Sequence, residues 1–194
     1  MPKLGIQSLA VEGYVIVSAD GMLANADHVM PDELRFEGDK RFFTSALDRA
    51  ELIVHGRNSY EDQTNSPRRK RLILTQSIGA IAPDPGNPRA TLWNPVGATF
   101  EAACERAGVH AGTVAIIGGP GVFGMFMDRY DTFWLSQAPH VRVPGGQACF
   151  PGVPRHSPQE ILASHGMAAG KPQMLDPAAG VTVTPWRRVN QTSP

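Results

Sequence analysis

Short apolar runs alternate with windows of helical period along this chain, the pattern of an α/β sheet. Tyr14-Val15-Ile16-Val17-Ser18 is rich in β-branched residues and stops at the turn residues Ala19-Asp20-Gly21. Leu52-Ile53-Val54-His55 ends at Gly56, and Leu72-Ile73-Leu74-Thr75 follows the basic stretch Arg68-Arg69-Lys70-Arg71. Ala90-Thr91-Leu92-Trp93, Val114-Ala115-Ile116-Ile117, Thr132-Phe133-Trp134-Leu135-Ser136 and Val181-Thr182-Val183-Thr184 complete the strand set. A fully apolar run such as 114–117 fits a parallel strand covered on both faces.

Helical windows fall between the runs. Residues 39–47 place Phe42, Phe43, Ala46 and Leu47 on one side. Residues 99–107 carry Phe100, Ala103 and Cys104 as a stripe, and 121–128 carry Val122, Met125 and Phe126. The Pro-, Gly- and Ala-rich segment from 151 to 177 reads as an irregular surface connection with a short helix at 158–164. The expected layout is one domain over 1–194, with a core at 9–151, a connection at 152–179 and a last strand at 180–190.

Composition narrows the class. The 194 residues carry 18 Lys and Arg against 18 Asp and Glu, and this neutral balance argues against a nucleic-acid binder. The 42% hydrophobic and 19% charged shares belong to an ordinary globular chain. Cys104 and Cys149 lie far apart, which excludes a disulfide scaffold and fits a reducing cytoplasm. No apolar run approaches the roughly 18 residues of a membrane helix. The opening Met1-Pro2-Lys3-Leu4-Gly5 lacks the apolar stretch of a signal peptide. The six histidines form no metal-ligand pattern, and Ser18, Ser59 and Ser136 lack a nucleophile-elbow context.

Four stretches carry candidate chemistry. Gly119-Pro120-Gly121-Val122-Phe123-Gly124 is a literal G-x-G-x-x-G after an apolar strand, yet the stretch 136–142 lacks the acid a dinucleotide fold places about 20 residues on. It reads either as a phosphate contact or as a structural turn. Gly56-Arg57-Asn58-Ser59-Tyr60-Glu61 offers N–H donors and a cation at a strand end, or a capped helix start with a surface Arg. Arg68 to Arg71 reads as a solvated loop, a targeting run, or cations facing a cofactor phosphate. Asp39 stands one turn before Phe43 on the same helix face, where an acid beside an aromatic has its pKa raised and suits proton chemistry. The alternative is an Asp favoured by the helix dipole, with Asp32, Glu33 and Glu37 as surface competitors.

The order of these motifs is more specific than any one of them. Ser18-Ala19-Asp20-Gly21, Met30-Pro31, Asp39-Lys40-Arg41-Phe42-Phe43, Gly56 to Glu61, Leu72 to Thr75, Ile116 to Phe123, Asp131 to Ser136 and Phe150-Pro151 succeed one another with compatible gaps. The chain thereby resembles the dihydrofolate reductase superfamily, which includes the reductase domain of riboflavin biosynthesis, over about residues 10–151. The resemblance implies a three-layer α/β domain with a mostly parallel, mixed, eight-stranded sheet and helices on both faces. It implies an NADPH-dependent oxidoreductase that transfers hydride to a pterin such as dihydrofolate. The alternatives are reduction of a ribosylamino-pyrimidine phosphate in riboflavin synthesis, or a nucleotide-binding module without turnover.

Carried over by position, Ala19 and Leu23 match the loop over the nicotinamide. Gly56, Arg57, Asn58 and Ser59 match the family's first cofactor helix, and Thr75 and Gln76 the strand end beside the adenosine phosphate. Ile117, Gly118, Gly119, Gly121, Val122 and Phe123 match the glycine turn. Asp39 matches the catalytic carboxylate, with Val15, Ile16, Phe43 and Ser136 around the substrate ring. Phe123 stands where folate reductases usually carry Tyr, and Ser-x-Asp-Gly is a form shared with riboflavin-type reductases. The implied partner is a small heterocyclic substrate, with no metal, nucleic acid or membrane, on a cytoplasmic monomer or homodimer.

Overall fold

Residues 8–189 are described by the computed structural model of the chain, and their apolar runs become the strands of one large sheet. The opening residues 1–5 and residue 190 of the expected last strand lie outside the described residues. In chain order the elements are β1 (Leu9–Ser18), β2 (Met22–Ala24), α1 (Glu37–Arg49), β3 (Leu52–Gly56), β4 (Arg71–Leu74), β5 (Ile81–Asp84), β6 (Asn87–Trp93), α2 (Phe100–Arg106), β7 (Gly112–Ile116), α3 (Pro120–Met125), β8 (Thr132–Ala138), β9 (Gln147–Ala148), α4 (Pro158–Ser164), β10 (Met167–Ala169), β11 (Gln173–Asp176) and β12 (Val181–Arg188). No described helix is long and apolar enough to cross a membrane.

The sheet has ten strands, ordered β10-β12-β8-β1-β7-β3-β4-β6-β5, with β11 also on β12; β2 and β9 form a separate two-stranded ribbon. The centre from β8 to β6 is parallel, while β5, β10, β11 and β12 join antiparallel. Eight strands were expected. The three that no apolar run marks, β5, β10 and β11, are three or four residues long, too short to display a period. Two of them come from the stretch expected to be an irregular connection, whose expected short helix is α4.

Alternation along the strands builds two apolar layers. Val11 and Val17 of β1, Leu52 and Val54 of β3, and Val114 and Ile116 of β7 point to one face, against Phe100, Ala103 and Cys104 of α2, Val122 and Phe123 of α3, and Leu162 of α4. Tyr14, Ile53 and Ala115 point to the other, under Ala46 and Leu47 of α1. The three-layer expectation therefore holds. Leu47, Leu52, Val54, Val114 and Ile116 are each fully buried, and each such side chain contributes about 1.5–3 kcal/mol of transfer free energy. Helix α1 is thus pinned to the sheet by its apolar stripe, which fixes where its first turn, with Asp39, must stand.

Candidate active site

Strands β3 and β7 are neighbours and parallel, so the chain leaves both at the same edge of the sheet. Their two exits are joined. The Gly56 N–H donates to the Gly118 carbonyl at 2.8 Å, and the Ile117 N–H to the Val54 carbonyl at 3.0 Å. Gly118 sits at φ +113°, a conformation that side chains rarely adopt, and the Gly118–Gly119 peptide is cis. A Cβ on Gly119 would lie 3.3 Å from Ser59 Oγ, whereas one on Gly121 would project into open space. Pro120 then opens α3, a position at which its missing N–H costs nothing. A cleft of about 1250 Å³ runs across this edge.

The segment after Gly56 departs from expectation. Among the described residues no α-helix forms between β3 and β4, only turns and a 3₁₀ turn at Ser66–Arg68. What holds the segment is a buried ion cluster. Glu61 meets Arg69 at 2.7 Å and Arg71 at 2.5 Å, and accepts from Ser66 Oγ at 2.7 Å. Arg69 also reaches Asp48 at 2.6 Å, and Tyr60 lies over the Arg71 guanidinium. Burial pushes the Glu61 carboxyl up, but the bonds from Arg71, Ser66 and Arg69 together hold it below its ordinary value. The basic run is therefore divided: Arg68 is exposed and Lys70 half-buried, whereas Arg69 and Arg71 turn inward. Two of its four members are spent inside the protein, and Arg71 is fully buried. Arg57 instead lines the cleft, exposed and without an ion pair among the described residues.

At one end the cleft leads to an inner, mostly apolar cavity of about 140 Å³. Leu23, Met30, Asp39, Phe43, Ser59, Ile117 and Gly119 line both spaces. Asp39 is the one carboxylate among the described residues lining the cavity. Burial raises its pKa, and the facing Ser136 hydroxyl offsets part of that rise. Ser136 reaches the acid because β8 alternates: Trp134, Ser136 and Ala138 face α1, while Phe133 and Leu135 face the opposite layer. An acid that holds its proton more tightly than usual, at the wall of a small and mostly apolar cavity, is equipped for proton exchange with a ligand.

Most expected site residues converge here. Gly56, Arg57, Asn58, Ser59, Thr75, Gln76, Ile117, Gly119, Gly121, Val122 and Leu23 line the cleft, and Val15, Ile16, Asp39, Phe43 and Ser136 the cavity. Gly118 and Phe123 line only the cavity, and Phe123 is otherwise a core residue packed on Phe133 and Phe150. Ala19 lines neither. Its N–H donates to Val141 O at 2.7 Å, tying that turn to the 141–143 segment. Asp32, Glu33 and Glu37 are exposed, as expected of surface acids. Tyr14, Phe42, Trp134 and Met30 also line the cavity, although none of them was expected as a site residue. Period-two alternation with Ile16 and Ser136 marks Tyr14 and Trp134, and Met30 belongs to the Met30-Pro31 motif of the ordered set.

No protein-family profile matches the chain, and no curated protein does either. Solved structures do. A protein assigned to riboflavin biosynthesis from Shewanella sp. PV-4 superposes with a TM-score of 0.64 at 18% identity, over 93% of this chain and 99% of that one. Dihydrofolate reductase from Enterococcus faecalis, complexed with NADP(H) and RAB-propyl, gives 0.64 at 16% identity, over 93% and 97%. The fold is dihydrofolate reductase-like.

Proposed function

We propose that the chain is an NADPH-dependent reductase acting on a C=N bond of a small, flat heterocycle, with a dihydropterin such as dihydrofolate as the first candidate. One observation carries this reading: Asp39, its pKa raised by burial, stands at the junction between a ring-sized cavity and a cleft bordered by two joined glycine turns. The residues fit a dinucleotide. Gly56, Gly119 and Gly121 keep the backbone bare along the cleft, and Arg57 supplies a cation there. When bound, NADPH supplies the hydride.

The rest of the chemistry belongs to the chain. Asp39 pairs with an amino-amidine edge of the ring as a charge-assisted hydrogen bond and exchanges a proton with a ring nitrogen. Ser136 holds the carboxyl in place, and Phe43 packs against the ring face. Phe123, Ile117 and Leu23 keep water from the reacting edge. Reduction of a ribosylamino-pyrimidine phosphate is the second reading, supported by Arg35 and Lys40, which place cations on the α1 side of the cleft. The test is loss of nicotinamide absorbance with dihydrofolate and, in parallel, with the ribosylamino-pyrimidine phosphate. Turnover of the first alone favours the pterin reading, turnover of the second alone the other. Tight NADPH binding with turnover of neither points to a binding module.

A further inference from the structure

Behind the ring cavity lies a second depression of about 710 Å³, between α1 and the sheet. Tyr14, Phe42 and Trp134 line both spaces, so their rings form the shared wall. Strand pairing sets Tyr14 directly beside Trp134, and their rings stack at 6.4 Å with 9° between planes. Phe42 closes in from α1, 5.4 Å from Trp134 and 6.2 Å from Tyr14. Packing alone leaves such rings free to change rotamer into whichever space is emptier. Here both carry a polar atom, and both polar atoms converge on Glu12. Tyr14 Oη donates to Glu12 Oε2 at 2.5 Å, and Trp134 Nε1 donates to the same oxygen at 2.9 Å. Glu12 lies two residues before Tyr14, hence on the same sheet face, and lines the outer depression but not the cavity.

We infer that Glu12 is a positioning residue for substrate specificity: its carboxylate locks Tyr14 and Trp134 as a partition that closes the back of the ring cavity and limits the size of ring it admits. The inference rests on the reading of that cavity as the substrate's. A carboxylate oxygen accepting two hydrogen bonds fixes both rings at once, which a single-partner contact would not do. With the partition released, the cavity and the outer depression become continuous, and bulkier rings fit.

The test compares Glu12→Leu with Glu12→Gln, whose carbonyl oxygen can still accept from both donors. Each protein is labelled with fluorotryptophan, and the Trp134 resonance is assigned by Trp134→Phe. Affinities are measured for diaminopyrimidine and for its biphenyl-substituted analogue. Glu12→Gln keeps the wild-type resonance and affinity ratio. Glu12→Leu shifts or broadens the Trp134 signal and raises the relative affinity of the bulky analogue about tenfold, the scale on which an apolar pocket discriminates by size. An unchanged resonance and ratio in Glu12→Leu overturns the proposal. Should that variant fail to fold, Tyr14→Phe removes one of the two bonds while keeping the ring, and the same readouts decide. If neither compound binds the wild type, the reading of the cavity fails and the specificity claim falls with it. The fluorine signal then still reports whether Glu12 holds the rings.

Discussion

The Gly56 amide and the Gly118 carbonyl, 2.8 Å apart, tie together two turns that the sequence presents as separate motifs. Joined in this way, they form one bare backbone edge at which Gly119 lies close to Ser59, the residue three beyond Gly56.

Gly119→Val therefore removes cofactor affinity without unfolding the chain. Gly119 has φ −75°, outside the left-handed region that favours glycine. The added Cβ starts 3.3 Å from Ser59 Oγ, and its methyl groups crowd the cleft edge. Fluorescence titration with NADPH, together with thermal melting, checks this. Unchanged affinity in the folded variant would make the turn purely structural.

Arg57→Ala weakens NADPH more than NADH. Arg69 and Arg71 are engaged with Glu61, so Arg57 is the cation that the glycine-turn side of the cleft can offer to a phosphate. A charge-assisted contact of this kind is worth about 1.5–3 kcal/mol. Equal losses for the two nucleotides would assign Arg57 to the pyrophosphate that both share.

Asp39→Asn lowers turnover by about 10²–10⁴-fold, the usual worth of positioned acid–base assistance, and leaves NADPH affinity in place. The folded protein binds the Asp39 proton more tightly than the unfolded chain does. Stability from this group is thus complete below the ordinary carboxylate pKa and is lost as pH rises through the raised folded value. The Asn variant is accordingly the more stable protein at neutral pH, and the difference disappears in acid. Denaturation midpoints at several pH values measure it.

Glu61→Gln destabilises by about 3–5 kcal/mol, the cost of leaving a buried charge without its partner. Glu61 has the opposite linkage sign to Asp39. Its folded pKa is lowered, so its contribution is present above the ordinary carboxylate range and fades as pH falls through the folded value. Denaturant unfolding at neutral pH reads the loss, and cofactor affinity should fall with it, because Glu61 anchors the loop that carries Arg57, Asn58 and Ser59. A midpoint within experimental error of wild type would mean that the cluster contributes nothing net.

The long central strands and all four helices were legible because burial on two faces, or on one helical stripe, writes a period into the residues. Asp39 and Phe43 were legible as a pair one turn apart on one helix face, whereas Ser136 came only from the resemblance. The segment 57–71 was not. Glycine, arginine and a short polar run look the same whether they open a helix or turn back on a buried carboxylate. What decides between the two is the pairing of Glu61 with Arg69 and Arg71, contacts that no local period records. The edge strands β5, β10 and β11 were hidden for want of length, and the Glu12 partition because its partner Trp134 lies on a different strand.

The position of β12 has a consequence for how the chain must be made. Its residues Thr182–Arg187 pair with β8, and both β10 and β11 pair with it in turn. Until those residues leave the ribosome, β8 presents an open edge, and two strands already synthesised have nothing to join. The flank from β1 through β7, β3, β4 and β6 to β5 can assemble early. The opposite flank is sealed only once residues 181–188 are in place, so a chain cut between β8 and residue 181 would carry a sticky, half-finished sheet.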